Sequence, residues 1–199
     1  EGRIFAKPDI GRINLGITSE AATVDAAQQK VTEVSNRIYG ALKGEGSEEK
    51  DIKTTNYSIN PMYNYPDGVQ KLRGYQVSQN LEVKIRDLAK SGKIIAVATG
   101  AGANQIGGLS FTTEDPSTLM TEARSKAIED AKKKGEELSE KLDVRLGEVI
   151  GFYESGPIGP VFYESFVAKG GDSAWPAVPE IPVGENEIVV QVTVTYQIK

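Results

Sequence analysis

The hexapeptide LGITSE at residues 15–20 returns, nearly letter for letter, as LSFTTE at residues 109–114. Each copy precedes a long segment of helical spacing, so each marks a strand that ends where a helix begins. A chain that repeats this event is constrained to a doubled architecture, with two similar strand-and-helix units in one polypeptide.

Behind the first copy, Val24, Ala27, Val31, Val34, Ile38 and Ala41 or Leu42 recur at steps of three and four, the pattern of a helix with one apolar face. KGEG at residues 43–46 ends it, because glycine leaves a helix readily through the left-handed conformation. Behind the second copy, Asp115 is placed to cap a helix with Pro116 at its first position. That helix is expected to reach about Leu142 along a stripe of Leu119, Ala123, Ala127, Ala131, Gly135, Leu138 and Leu142, whose small middle members predict close packing. On its outer face Glu129, Asp130 and Glu137 each stand four residues before a lysine, pairs worth about 0.2–0.5 kcal/mol each. DAKKKGEE therefore reads as a solvated face rather than a polybasic site.

Strand material follows each helix, DIKTTNYSI at 51–59 and LGEVIGFYE at 146–154. A longer alternating strand then closes each half, GYQVSQNLEVKI at 74–85 and NEIVVQVTVTYQI at 186–198. The order predicts an α+β fold of duplicated β-α-β-β units, with long helices packed on one face of antiparallel sheet. DLAKSGKIIAVATGAGAN at 87–104 suits either a helix from Asp87 or a strand, and it is taken as an extra short helix between the halves. The expected organisation is one domain, 1–199, made of two pseudo-repeats at about 1–86 and 87–199.

YPDGV at 65–69 marks a hairpin turn whose arms carry Tyr57, Tyr63, Tyr65 and Tyr75. These rings serve a subunit interface or simple cross-strand packing equally well. The corresponding connection in the second half, 156–184, is long and rich in Gly and Pro, and contains GPIGP, VFYESF and Trp175. Long irregular loops in compact domains usually bind something or are disordered. The candidate interaction surface is therefore Phe162, Tyr163, Phe166 and Trp175, with Tyr63 and Tyr65 from the hairpin.

Composition narrows the chemistry. The 199 residues include no Cys and no His, which removes thiolate and imidazole chemistry, zinc fingers and haem ligation through His. With 28 acidic and 23 basic residues the net charge is -5, and no basic patch suggests a nucleic-acid partner. No apolar run has the length of a transmembrane helix. The chain begins at Glu1 without Met, so a removed signal peptide or an envelope anchor upstream is an expectation.

Two sharper motifs are weighed and set aside. GAGANQIGG lacks the third glycine of the dinucleotide fingerprint, since Gln105 occupies that place, and its glycines precede a strand instead of opening a helix. Glu20 and Glu114 hold equivalent positions in the repeat and invite an acid/base reading. An acid beside a helix N-terminus is also stabilised by the local dipole, which is the reading taken.

The order of KPDIGRINLGI, KDIKTTNYSINPMYNY, GYQVSQNLEVKIRDL, GANQIGGLSF, ARSKAIEDAKKKGEELSEKLDVRLGEVIGFYESG and VGENEIVVQVTVTYQI resembles that of SIMPL-domain proteins. This bacterial group includes periplasmic immunogenic proteins and oxidative-stress-associated envelope proteins. The resemblance implies an exported protein, periplasmic or otherwise extracytoplasmic, that self-associates into a homo-oligomer and has no established enzymatic activity. The expectation is a non-enzymatic, stress-associated envelope protein without cofactor or metal. The alternative is a binding module for an envelope ligand or a membrane-associated partner, with the 156–184 loop as its mouth.

Overall fold

A computed structural model of the protein describes residues 1–162 and 181–199, and of residues 156–162 the backbone alone. The first elements are β1 (Gly2–Ala6), β2 (Ile10–Ala21), α1 (Val24–Gly44), β3 (Ile52–Asn64) and β4 (Lys71–Ile85). They are followed by α2 (Ser91–Ala101), β5 (Gln105–Thr112), α3 (Ser117–Leu142), β6 (Leu146–Phe162) and β7 (Asn186–Ile198). The fold is α+β, with antiparallel strands in two sheets and the short helix α2 in the segment read either way from sequence.

Residues 9–112 form one compact unit around a sheet of order β3-β4-β2-β5. Thr23 caps α1, its hydroxyl accepting from the Ala26 N–H at 3.3 Å, and the predicted stripe then turns inward. Ala27, Val31, Ile38 and Leu42 are enclosed against Ile13, Leu15 and Ile17 of β2 and Val77, Leu81 and Val83 of β4. Ile94 and Ala98 of α2 complete this core. The opposite sheet face is polar: Thr18 and Ser78 hydroxyls lie 3.0 Å apart and Arg12 donates to Glu82 at 3.3 Å. Gly102 ends α2 at φ 114, a left-handed conformation that a side chain would strain.

Residues 1–8, 113–162 and 183–199 form the second unit, a sheet of order β1-β7-β6 with α3 over β1 and β7. Its core is Ile4, Ala123, Ala127 and Val190, flanked by Leu119, Ile188 and Val192. A Cβ at Gly2 would fall inside the backbone of α3 at Ala123 and Ala127, so glycine and two alanines set the approach of β1 to the helix. Here the structure shifts the expected start by one residue: Pro116 is the N-cap and Ser117 the first helical residue, while Asp115 Oδ1, one position further out, accepts from the Ser117 N–H at 3.0 Å.

Within each unit a hairpin and a third strand follow one order, β3-β4-β2 and β6-β7-β1, with the long helix over the last two. Three features differ from expectation. The LSFT strand, β5, leads toward α3 as read, but its ladder partner is β2, from Ile10↔Thr112 to Gly16↔Gln105. The strand beside β7 is instead β1, because Gly2–Ala6 fits under α3. The α3 stripe is buried only in its first half: Leu138 and Leu142 are 57% and 68% exposed, beyond the sheet that would cover them. Finally, GPIGP does not break β6, whose backbone pairs on to Phe162↔Asn186 through several register shifts. Among the described residues β6 is an edge strand, paired on one side alone, and such a strand tolerates Gly and Pro.

Candidate interaction surface

In the unit of residues 9–112, α1 packs mainly on β2 and β4 and much less on the edge strand β3. Ile59 and Tyr57 stand opposite Val77 and Gln79, which puts them on the same sheet face as the core residue Val77. Both remain exposed, although the Tyr57 hydroxyl accepts a hydrogen bond from Gln28 Nε2 at 3.3 Å. An apolar side chain on the core side of a sheet that its helix leaves exposed is a surface suited to another chain.

The second unit shows the same relationship. Arg124 of α3 donates to both oxygens of Glu154, at 2.7 and 2.9 Å, fixing Glu154 on the helix face of β6. Phe152, two residues earlier in β6, shares that face and is exposed, as are Val149 and Leu142. Hydrogen bonding from Arg124 holds the Glu154 carboxyl below its ordinary range, with the arginine charge adding and desolvation opposing.

The hairpin residues read from sequence fall at the far end of β3. Tyr63 is paired with Leu72, both exposed, and Tyr65 opens the turn before Pro66 with its ring in solvent. Phe162 closes the β6 ladder against Asn186 by its backbone, while Tyr163, Phe166 and Trp175 lie outside the described residues. The structure thus places Tyr63 and Tyr65 together and brings forward Tyr57, Ile59, Val149 and Phe152. Sequence alternation puts Tyr57 and Ile59 on one side of β3, but Val149 and Phe152, three residues apart, share a face only through the register shift between Val149 and Gly151, and neither pattern says whether a helix lies above them.

The carboxylates are occupied with structural work. Glu20 accepts from Arg73 at 2.8 Å and from Gln76 at 3.4 Å, at the open end of β2. Glu114 belongs to the other unit. Asp51 is buried and takes both Nε and a terminal nitrogen of Arg86, at 2.8 and 2.9 Å, beside a concavity of about 100 Å³ also lined by Lys84 and Lys90. A carboxylate gripped at both oxygens acts as a counter-ion more readily than as a base. In GAGANQIGG, Asn104 clasps the Thr18 backbone, accepting from its N–H at 2.9 Å and donating to its carbonyl at 2.7 Å, while Gly100 and Gly102 end α2 and Gly107 and Gly108 lie within β5. Among the described residues no group of acids is arranged to hold a metal, and no helix is long and apolar enough to cross a membrane.

The fold and surface define a class: an α+β protein of two antiparallel sheets with exposed apolar side chains on edge strands β3 and β6. Residues 1–196 match the family described as SIMPL, protein of unknown function (DUF541), and the chain belongs to that family. It is 33% identical over 210 residues to the 26 kDa periplasmic immunogenic protein of Brucella melitensis, a match covering 100% of this chain and 82% of that relative. The Brucella abortus protein of the same name matches with the same identity and coverage. The uncharacterized protein YggE of Escherichia coli is 29% identical over 146 residues, covering 73% of this chain and 59% of its own length.

Proposed function

We propose that the chain is a non-enzymatic protein of the bacterial cell envelope, located in the periplasm, which assembles with copies of itself. The observation that carries this reading is the uncovered edge strand of each unit, β3 with Tyr57 and Ile59 and β6 with Val149 and Phe152. An open strand edge offers unpaired N–H and C=O groups, and contact between copies satisfies them while removing apolar surface from water. The relatives named periplasmic support the location.

Light scattering on the purified chain tests the assembly. The expected result is a particle heavier than one chain, and a monomer at high micromolar concentration contradicts it. The non-enzymatic part is tested by a broad hydrolase screen of the wild type beside Glu20→Gln and Glu114→Gln. Turnover abolished by either substitution contradicts it. A role under oxidative stress, in keeping with the family resemblance, predicts that a strain lacking the gene is more sensitive to peroxide than its parent.

A further inference from the structure

Among the described residues the sheets present four edges, and they are not equally protected. β1 offers only Gly2–Ala6, with Arg3 ion-paired to Glu1 and Glu187. The β5 ladder shifts register between Arg12 and Asn14, and Gly108 kinks β5 at φ 64. β6 is broken by repeated register shifts along its pairing with β7. Charges, bulges and short length are the usual guards of a strand edge. β3 lacks them over one window, residues 56–60, NYSIN, which is uncharged and in continuous register from Asn56↔Asn80 to Asn60↔Gln76. The window is bounded by a register shift after Thr54 and by Pro61, which has no N–H to donate.

The two faces of that window differ. Tyr57 and Ile59 share the apolar face of Val77, while Asn56, Ser58 and Asn60 share the polar face of Asn80, Ser78 and Gln76. Resting on the assembly reading above, we infer that this edge is completed by the same strand of a second copy, antiparallel, with Ser58 opposite the partner's Ser58. That register sets Tyr57 against the partner's Ile59 and Asn56 against the partner's Asn60. Aromatic against β-branched is a favoured cross-strand pair, and no charge meets a like charge. A slip of one residue would place Ile59 across from serine and turn the apolar face of one copy onto the polar face of the other. Centring on Ser58 also uses the whole window and keeps Pro61 at its margin. The second copy thus prolongs the sheet with its apolar and polar faces in phase, a match that an unrelated extended segment would have to reproduce residue by residue.

The absence of cysteine makes this directly readable. In Ser58→Cys the new thiol faces its own copy across the dyad, whereas in Asn60→Cys the two thiols stand four residues apart along the strands, roughly 13 Å. On mild oxidation of the assembled protein, Ser58→Cys is expected to give several-fold more covalent dimer than Asn60→Cys. Ile59→Lys, without any cross-link, is expected to lower the particle mass while leaving the circular dichroism spectrum of the fold unchanged. If the wild type assembles but the two cysteine variants cross-link equally, or Ile59→Lys leaves particle mass unchanged, the β3 pairing is overturned and assembly by another surface stands. If the wild type is monomeric, the pairing and the assembly reading fall together.

Discussion

Ile59 on β3 stands directly across from Val77 on β4, yet Val77 is fully enclosed and Ile59 keeps 39% of its surface exposed. Both lie on the α1 side of the sheet, and the helix covers one and not the other. That boundary separates what holds the unit together from what it offers to a neighbour.

Substitutions on either side of the boundary are expected to diverge in the isolated fold. Val77→Ala removes enclosed methyl groups and leaves a void, at a cost of about 2 kcal/mol. Ile59→Ala costs under about 1 kcal/mol, because much of its side chain is already in water. Urea unfolding under conditions where the protein is monomeric checks this, and equal shifts of midpoint would contradict the account of coverage.

The Asp51–Arg86 pair predicts an asymmetry. Asp51 has 2% of its side chain exposed and Arg86 41%, so it is the carboxylate that is cut off from water and relies on protein hydrogen-bond donors. Arg86→Ala leaves that buried acid with Lys84 at 3.9 Å and is expected to cost about 3 kcal/mol. Asp51→Asn, which keeps the shape and lets Arg86 turn to water, is expected to cost about 1 kcal/mol. Denaturant titrations giving the reverse order would refute it.

Acid should weaken the second unit through its paired carboxyls. Hydrogen bonding from Arg124 lowers the Glu154 carboxyl, and hydrogen bonding from Lys134 lowers that of Asp130. Because these folded values lie below the unfolded ones, near 4, the unfolded chain binds protons first as pH falls. The stabilisation is therefore complete above that range and is lost as pH falls through the folded values. Melting temperature followed from neutral pH downward should show a shallower acid limb for Glu154→Gln than for the wild type, and identical limbs would count against the ion pair.

Gly2→Val tests the packing of β1 on α3. The new side chain collides with backbone at Ala123, an overpacking expected to cost about 1–3 kcal/mol and to loosen β1 rather than the whole chain. Hydrogen exchange should quicken at the β7 amides facing β1, around Ile188 and Val190, while β4 amides keep their protection. Unchanged exchange in β7 would show that glycine is dispensable there.

Helices were the most legible part of the fold, because their signals are local. The Asp115–Pro116 pair states the start of α3 to within one residue, and the stripe from Val24 to Leu42 states which side of α1 is buried. Partnership between strands is not local: nothing within LSFT announces that it pairs with β2, or within GRIFA that it pairs with β7. The exposure of Leu138 and Leu142 was hidden for a related reason, since a stripe says which residues share a face and not how far the opposing sheet reaches. GPIGP read as a loop because Gly and Pro interrupt regular ladders, and only the edge position of β6 allows it to continue. For the candidate surface, Tyr63 and Tyr65 were found through their turn. Ile59 and Phe152 were not, because their exposure is set by the limits of α1 and α3.

Sedimentation equilibrium over a range of protein concentrations tests the central claim most directly. Assembly through the uncovered edges predicts an average mass that rises above the 21.4 kDa of one chain and falls back toward it with Ile59→Lys. A wild-type mass that stays at 21.4 kDa up to high micromolar concentration would contradict it.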